Sequence, residues 1–142
     1  MQTYVSSSPE TTMDIAAKLS KNFRGGEIVA LKGGLGMGKT CFVKGLAIGL
    51  GFLGEVTSPT FAIVNEYIGG RLDLFHFDMY RITGWDDLYS TGYFEYAQSG
   101  GVVAIEWSEN IEGAFDGNVI TVRLERLSDN ERKITISGGG VN

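Results

Sequence analysis

The chain has 142 residues, of which 43% are hydrophobic and 20% charged, and this length and balance fit one globular domain and exclude a disordered chain. The formal net charge is −5, from 12 Lys and Arg against 17 Asp and Glu, and no stretch is strongly basic. Independent, high-affinity binding to nucleic acid, which depends on clustered cations, is therefore not expected.

The first predicted elements are a short strand and a helix. Residues 1–10 are polar and lack the apolar segment of a signal peptide, and residues 3–5 suit a short edge strand. Residues 9–22 place apolar side chains at helical spacing behind Ser8, a good N-cap residue, which predicts an amphipathic helix. No apolar run approaches the ~20 residues of a membrane span, so we expect a cytoplasmic protein.

A buried strand and a second helix follow. The continuous apolar run within residues 27–32 predicts a strand that is buried on both faces. Residues 39–50 place apolar side chains on one helical face, and Gly51 ends that helix. Cys41 is the single cysteine, so an internal disulfide is excluded and a reducing compartment is the simplest reading.

The middle of the chain predicts a hairpin and a third helix. Residues 62–67 and 72–77 suit two strands that turn at the glycine pair 69–70, because consecutive glycines supply the positive φ of a tight turn. Residues 86–98 suit a helix, although Gly92 weakens the pattern.

Strands dominate the C-terminal part of the chain. Residues 102–105 are a second continuous apolar run, and residues 119–124 and 133–136 suit a closing hairpin that turns near residues 128–130. Residues 138–142 are expected to form a loose tail. We therefore predict a single α/β domain over the whole chain, with a central, partly parallel sheet flanked by helices.

The segment between the first buried strand and its helix, GGLGMGKT at residues 33–40, fits the phosphate-binding pattern G-x-x-x-x-G-K-[ST]. Glycines let backbone N–H groups approach a phosphate, and the N-terminus of the following helix favours negative charge. A glycine-rich turn alone is common, but the Gly-Lys-Thr ending is not, and we predict binding of ATP with Mg²⁺. In this pattern Lys39 bridges the β- and γ-phosphates, and the Thr40 hydroxyl binds Mg²⁺. The expected contacts are Gly33, Gly34, Leu35, Gly36, Met37, Gly38, Lys39 and Thr40.

Hydrolysis needs a group that holds Mg²⁺ or orients water, and two carboxylates stand at predicted strand ends. Asp78 follows residues 72–77, and Glu106 follows residues 102–105. The carboxyl ends of parallel strands meet at the ligand crevice, so Glu106 reaches the site if its strand runs parallel to residues 28–31. Each acid alone fits a solvated strand end, and their combination with the phosphate loop favours the site.

Other polar residues leave alternatives open. Thr57, Ser58 and Thr60 lie in a loop where small GTPases place a threonine that senses the γ-phosphate, but composition alone fits an ordinary polar turn. His76, the single histidine, lies within a predicted strand and suits a packed, hydrogen-bonded residue better than a catalytic base. Trp107 fits the core and the lining of the site equally well. The sequence contains neither the N-K-x-D pattern of guanine specificity nor a Cys/His cluster for zinc.

Four segments in order resemble the TsaE (YjeE) family, the small ATPases of bacterial tRNA threonylcarbamoyladenosine synthesis. They are GGLGMGKT at residues 33–40, VTSPTF at 56–61, HFDMYR at 76–81 and IEW at 105–107, and the likeness spans about residues 26–110. The resemblance implies a P-loop NTPase with a mixed sheet that acts with TsaB and TsaD, the proteins that modify N6 of adenosine 37 in tRNA. It implies that ATP binding and hydrolysis reset this complex between rounds.

The resemblance also implies roles for individual residues. Thr40 and Glu106 serve Mg²⁺, Asp78 and Thr60 support hydrolysis, and Trp107 takes part in activity. The expected catalytic residues are thus Glu106, Asp78, Thr60 and Lys39, and the nucleotide contacts also include Cys41 and Trp107.

Two positions depart from the family pattern. An acid is frequent where this chain has Gly34, and a second Thr or Ser where it has Cys41. The backbone N–H contacts to phosphate survive both changes, whereas a hydroxyl contact to the α-phosphate is lost at Cys41.

Two other functions use the same loop. A small-molecule kinase needs an acceptor pocket and usually a basic lid, but only Arg71 and Arg81 lie near the middle of the chain, and 142 residues leave little room for a lid. The second alternative is a nucleotide-dependent binding module that does not hydrolyse ATP, and only the pair Asp78 and Glu106 argues against it.

Overall fold

The structure, a computed structural model, describes residues 1–33, 38–54, 64–79, 82, 84–106 and 119–138. Its elements in chain order are β1 (Gln2–Ser6), α1 (Pro9–Ser20), β2 (Ile28–Lys32), α2 (Lys39–Gly49), β3 (Val64–Tyr67), β4 (Leu74–Asp78), α3 (Trp85–Ser90), α4 (Tyr93–Ala97), β5 (Val102–Glu106), β6 (Val119–Arg126) and β7 (Arg132–Gly138). None of the helices in the described ranges is long and apolar enough to cross a membrane.

The strands of the described residues form one mixed sheet in the order β1-β7-β6-β2-β5-β4-β3. Strand β2 pairs in parallel with both β5 and β6, and β5 pairs in parallel with β4. The remaining pairs, β1 with β7, β6 with β7 and β3 with β4, are antiparallel. The predicted α/β fold with a partly parallel sheet is confirmed, and β1 is an edge strand as expected.

The central strands are buried on both faces, which their continuous apolar runs predict. Val29 and Leu31 belong to a core cluster with side chains of α1 and α2, whereas Ile105 and Phe77 belong to a second cluster with Leu88 of α3. Each such side chain contributes roughly 1.5–3 kcal/mol when it is fully removed from water. The helices therefore cover both faces of the sheet, whereas the strand ends carry polar residues.

Helix α1 begins where the sequence predicts. The Ser8 hydroxyl accepts a hydrogen bond of 3.1 Å from the Thr11 backbone N–H, and Pro9 occupies the first turn. The helix ends at Ser20, two residues earlier than its predicted end at residue 22. The Ser20 hydroxyl donates to the backbone carbonyl of Leu46 at 2.9 Å, so the end of α1 is tied to α2.

Helix α2 approaches α1 closely because two glycines face it. A Cβ added at Gly45 would lie 2.3 Å from the backbone oxygen of Met13, and one at Gly49 would lie 1.9 Å from the Ser20 hydroxyl oxygen. Any larger residue must push the helices apart. This contact fixes the position of α2, and with it the N-terminus that follows the glycine-rich segment.

The connection between β3 and β4 differs from the tight turn predicted at residues 69–70. It spans residues 68–73, and of the two glycines only Gly69 has a positive φ, of 116°. The loop is longer because it packs on helix ends: the Arg71 backbone N–H donates to the Leu50 oxygen at 2.6 Å, and its guanidinium donates to the Phe23 oxygen at 2.7 Å. Residues 62–63, predicted to begin β3, lie outside the described residues.

The helix predicted over residues 86–98 is two short helices, α3 and α4. Gly92 separates them with a φ of 79°, a left-handed conformation that ends one helix and begins the next. At the C-terminus, β7 continues to Gly138, and residues 139–142 of the predicted tail lie outside the described residues.

We expect Gly45→Ala to lower the free energy of unfolding by about 1–2 kcal/mol. Alanine raises helix propensity by roughly 1 kcal/mol, but the added methyl would meet backbone atoms of α1. This places the overpacking cost at about 2–3 kcal/mol, the upper part of the usual range, and leaves the net loss of about 1–2 kcal/mol. Urea denaturation followed by circular dichroism measures the difference. Lys44→Ala, at an exposed position of the same helix, is the control and should change stability by less than about 0.5 kcal/mol. A Gly45→Ala variant as stable as wild type would show that the two helices are not held in close contact.

Candidate functional site

The candidate site begins with the two described glycines of the phosphate-binding pattern. Gly33 follows β2 with a φ of 145°, and Gly38 precedes α2 with a φ of 96°. L-residues rarely adopt either conformation, which explains why glycine stands at both positions. Residues 34–37, between them, lie outside the described residues.

The N-terminus of α2 is built differently from that of α1. Helix α1 has the Ser8 cap and an acid, Glu10, in its first turn. Helix α2 begins at Lys39 after Gly38, and among the described residues no side chain caps it and no acid lies in its first turn. No acid therefore opposes an anion at the positive dipole end of α2 in the described part of the chain.

Glu106 lies beside this helix end because of strand register. It is the last residue of β5 and is paired with Leu31 of β2 on one side and with Asp78 of β4 on the other. Both pairings are parallel, which is the arrangement that the site prediction for Glu106 required. Asp78 ends β4 and is half-buried. Two carboxylates therefore stand in adjacent register positions at the carboxyl edge of the sheet.

The Glu106 carboxylate lies between two nitrogen groups. Lys39 Nζ is 3.6 Å from one oxygen, Oε1, and His76 Nε2 is 2.6 Å from the other, Oε2. All three residues are nearly removed from solvent, with exposed fractions of 6% for Lys39, 0% for His76 and 8% for Glu106. Charged groups occur so deep in a protein only when they are paired.

The ionisation of Glu106 follows from these contacts. Burial alone raises the pKa of a carboxyl group, but the hydrogen bond and charge interaction with His76, followed by the positive charge of Lys39, outweigh it, and the pKa of Glu106 lies below its ordinary value. Glu106 is therefore an anion at neutral pH despite its burial. An anion in this position can attract a metal ion or accept a hydrogen bond from water.

A cavity of about 350 Å³ adjoins the start of α2. Its lining includes Gly38 and Cys41, residues 6–9 at the end of β1 and start of α1, and Asp129 and Arg132 beside the β6–β7 turn. A larger groove of about 730 Å³ runs between β1 and α1, but no predicted site residue lines it. The smaller cavity borders Gly38, the last glycine of the phosphate-binding pattern.

The donor set fits Mg²⁺ carried by a nucleotide. Among the described residues no group of three or more His, Cys, Asp or Glu side chains could hold a metal ion by itself. The residues at the site are the Thr40 hydroxyl, in the first turn of α2, and the carboxylates Glu106 and Asp78. Mg²⁺ typically takes one or two protein oxygens together with phosphates and water.

Comparisons with known proteins identify the family of this chain. The family model of the threonylcarbamoyl adenosine biosynthesis protein TsaE matches residues 6–134. The chain belongs to the TsaE family. The resemblance found in the motifs is thereby confirmed.

Relatives of this family align with nearly the whole chain. The tRNA threonylcarbamoyladenosine biosynthesis protein TsaE of Treponema pallidum is 40% identical over 133 residues, which is 94% of this chain and 98% of that protein. The Bacillus subtilis TsaE is 39% identical, over 93% of this chain and 82% of that protein. The crystal structure of Bacillus subtilis YdiB superposes with a TM-score of 0.78 at 35% identity, and covers 98% of this chain and 86% of that one.

The structure of this TsaE family member brings together some of the predicted site residues. The described ones lie at the α2 N-terminus and the adjoining strand ends: Gly33, Gly38, Lys39, Thr40, Cys41, Asp78 and Glu106. The remaining predictions fall outside the described residues: Gly34, Leu35, Gly36, Met37, Thr60 and Trp107.

The sequence reasoning missed the contact that His76 makes with Glu106. His76 was expected to be packed and hydrogen-bonded, and it is both, but its partner is the candidate catalytic carboxylate. The spacing offered a signal: His76 and Asp78 are two residues apart on one strand, so they share a face of the sheet.

Proposed function

We propose that this chain binds ATP with Mg²⁺ at the N-terminus of α2 and hydrolyses it, in the service of tRNA threonylcarbamoyladenosine biosynthesis. One observation carries the proposal: the buried Lys39 and the buried, ionised Glu106 face each other at 3.6 Å where α2 begins and β5 ends. A cation for the phosphates and an anion for the metal or the attacking water are the two charges that nucleotide hydrolysis requires.

Phosphate binding is supported by the charges around α2. The helix start lacks a capping side chain among the described residues, so its backbone N–H groups can donate to phosphate oxygens. Lys39 pairs with Glu106, and a polyphosphate would offer its ammonium group a stronger partner. The adjoining cavity, which Cys41 lines, has the size of a small-ligand site and would hold the nucleoside.

Hydrolysis is supported by the carboxylates. Glu106 is ionised, so it can accept a hydrogen bond from the water whose oxygen attacks the γ-phosphorus as the bond to the β–γ bridging oxygen breaks. Thr40 and one of the carboxylates, Glu106 or Asp78, would hold Mg²⁺, which when bound neutralises charge on the phosphates. Lys39 would stabilise the charge that moves onto the leaving diphosphate.

The proposed pathway follows from membership of the family, and the proposed partners follow from the motif resemblance. Family members carry the name of threonylcarbamoyl adenosine biosynthesis, and we assign this chain the ATPase step that resets a complex with TsaB and TsaD. With a net charge of −5, the chain suits a protein partner with a basic face better than tRNA itself. We place it in the cytoplasm with those partners.

Lys39→Ala should weaken ATP binding by roughly 10- to 150-fold, which corresponds to about 1.5–3 kcal/mol for lost hydrogen bonds to a charged group. Isothermal titration calorimetry with ATP and Mg²⁺ measures this. The control is Lys44→Ala, which removes an exposed lysine of the same helix and should leave the affinity unchanged. Wild-type affinity and hydrolysis in Lys39→Ala would contradict the phosphate site.

Glu106→Gln should keep ATP affinity within a few-fold but lower phosphate release by roughly 100- to 1000-fold, because loss of a transition-state charge of this kind costs about 2.7–4 kcal/mol. Asp78→Asn should act in the same direction. The assay contains ATP, Mg²⁺ and no acceptor, so phosphate release also distinguishes an ATPase from a kinase. Glu10→Gln, at an exposed carboxylate of α1, is the control. Undiminished release from Glu106→Gln would leave Glu106 a structural residue.

Phosphate release should be slow with the purified chain and rise when TsaB and TsaD are added. The same three proteins should co-purify with ATP more than with ADP, and less at high salt, because complementary charge favours the encounter. A pull-down in each nucleotide state tests this. No binding in any nucleotide state would contradict the partner assignment but not the ATP site. Equal binding in every nucleotide state would contradict the proposal that ATP controls the complex.

A further inference from the structure

His76 occupies a position in the sheet where an apolar side chain would be expected. It lies in β4, its register partner on β5 is Ala104, and its neighbour two residues back, Leu74, shares its face of the sheet. Leu74 and Ala104 belong to the apolar cluster under α1 and α2. The imidazole itself has an exposed fraction of 0%. A polar group so placed costs about 1–3 kcal/mol unless it is hydrogen-bonded.

The hydrogen bonding of His76 is directed at one residue. Its Nε2 lies 2.6 Å from Glu106 Oε2, and because an ionised carboxylate only accepts, the imidazole N–H is the donor. The other ring nitrogen, Nδ1, is buried and has no hydrogen-bond partner in the described part of the chain. The register partner of His76 is the small residue Ala104, which lies two residues before Glu106 on β5.

The two oxygens of Glu106 therefore have different surroundings. His76 holds Oε2 from within the sheet, whereas Lys39 approaches Oε1 from the phosphate-binding helix. If a phosphate takes Lys39 away, His76 is the one described residue that still holds the carboxylate. The last torsion of a glutamate side chain has no sharp preference of its own, so its plane depends on such a partner.

We propose that His76 is a positioning residue for Glu106. The Nε2–H of His76 fixes one carboxylate oxygen of Glu106, so that the other oxygen faces the N-terminus of α2, where the nucleotide would bind. The role rests on the proposed ATPase function. Groups that orient a metal-linked carboxylate typically change metal affinity or activity by 10- to 100-fold when they are removed.

Two variants of His76 separate positioning from packing. His76→Leu fills the core without a donor, and His76→Gln keeps an N–H at a similar reach. We expect His76→Leu to raise the Mn²⁺ or Mg²⁺ concentration at half-saturation and to lower kcat, each by roughly tenfold, with the KM for ATP within about twofold. His76→Gln should recover most of both. Mn²⁺ binding to the ATP complex, followed by electron paramagnetic resonance, measures metal affinity without turnover.

A double-mutant cycle tests whether His76 acts through Glu106. In a Glu106→Gln background, His76→Leu should cause little further loss of phosphate release, because the carboxylate it positions is gone. If the two losses multiply as independent factors, or if His76→Leu lowers the melting temperature while metal affinity and kcat stay at wild-type values, His76 only packs the core.

Magnetic resonance of the nucleotide-free protein gives a readout that needs neither ATP nor turnover. His76 is the single histidine, so the imidazole ¹⁵N signals belong to it alone. We expect a ring N–H on Nε2 that exchanges slowly with water, and a larger shift of Nε2 than of Nδ1 in Glu106→Gln. Asp78→Asn is the control and should move both signals little. A proton on Nδ1 instead of Nε2, or signals indifferent to Glu106→Gln, would overturn the proposal even if the protein hydrolyses ATP. The expected signals in a protein without ATPase activity would instead locate the failure in the proposed function.

Discussion

The ionised carboxylate of Glu106, held almost out of water, is the constraint on which the rest of the site depends. An isolated carboxylate at this depth would carry a penalty of several kcal/mol, so it must have partners. They come from two other elements, Lys39 from the start of α2 and His76 from the middle of β4. The site therefore forms only when one helix and two strands take their positions in the folded domain.

The parallel strands at the centre of the sheet set these positions. Strands β2, β5 and β4 run the same way, so their carboxyl ends lie together, and register sets Glu106 beside Asp78. The close packing of α2 on α1, through Gly45 and Gly49, fixes the helix whose first residue is Lys39. The lysine that pairs with Glu106 is also the one proposed to bind phosphate, so a bound nucleotide would rearrange the charges around Glu106.

Local patterns predicted the elements well, because capping, glycine conformations and apolar runs are properties of neighbouring residues. Ser8 caps α1, Gly38 starts α2 in a left-handed conformation, and both buried runs are central strands. Errors arose where distant contacts decide: the turn at residues 69–70 is longer because Arg71 is bound to helix ends. The pairing of His76 with Glu106, across a sequence separation of 30, depends on strand order and register that no local pattern records.

The most direct test of the central claim is a crystal structure of the chain with Mg²⁺ and a non-hydrolysable ATP analogue. We expect Lys39 Nζ to contact the β- and γ-phosphates instead of Glu106, the nucleoside to occupy the cavity beside Cys41, and His76 to keep its hydrogen bond to Glu106. A nucleotide bound elsewhere, or a Lys39 that stays on Glu106 while the phosphates lie away from the start of α2, would contradict it.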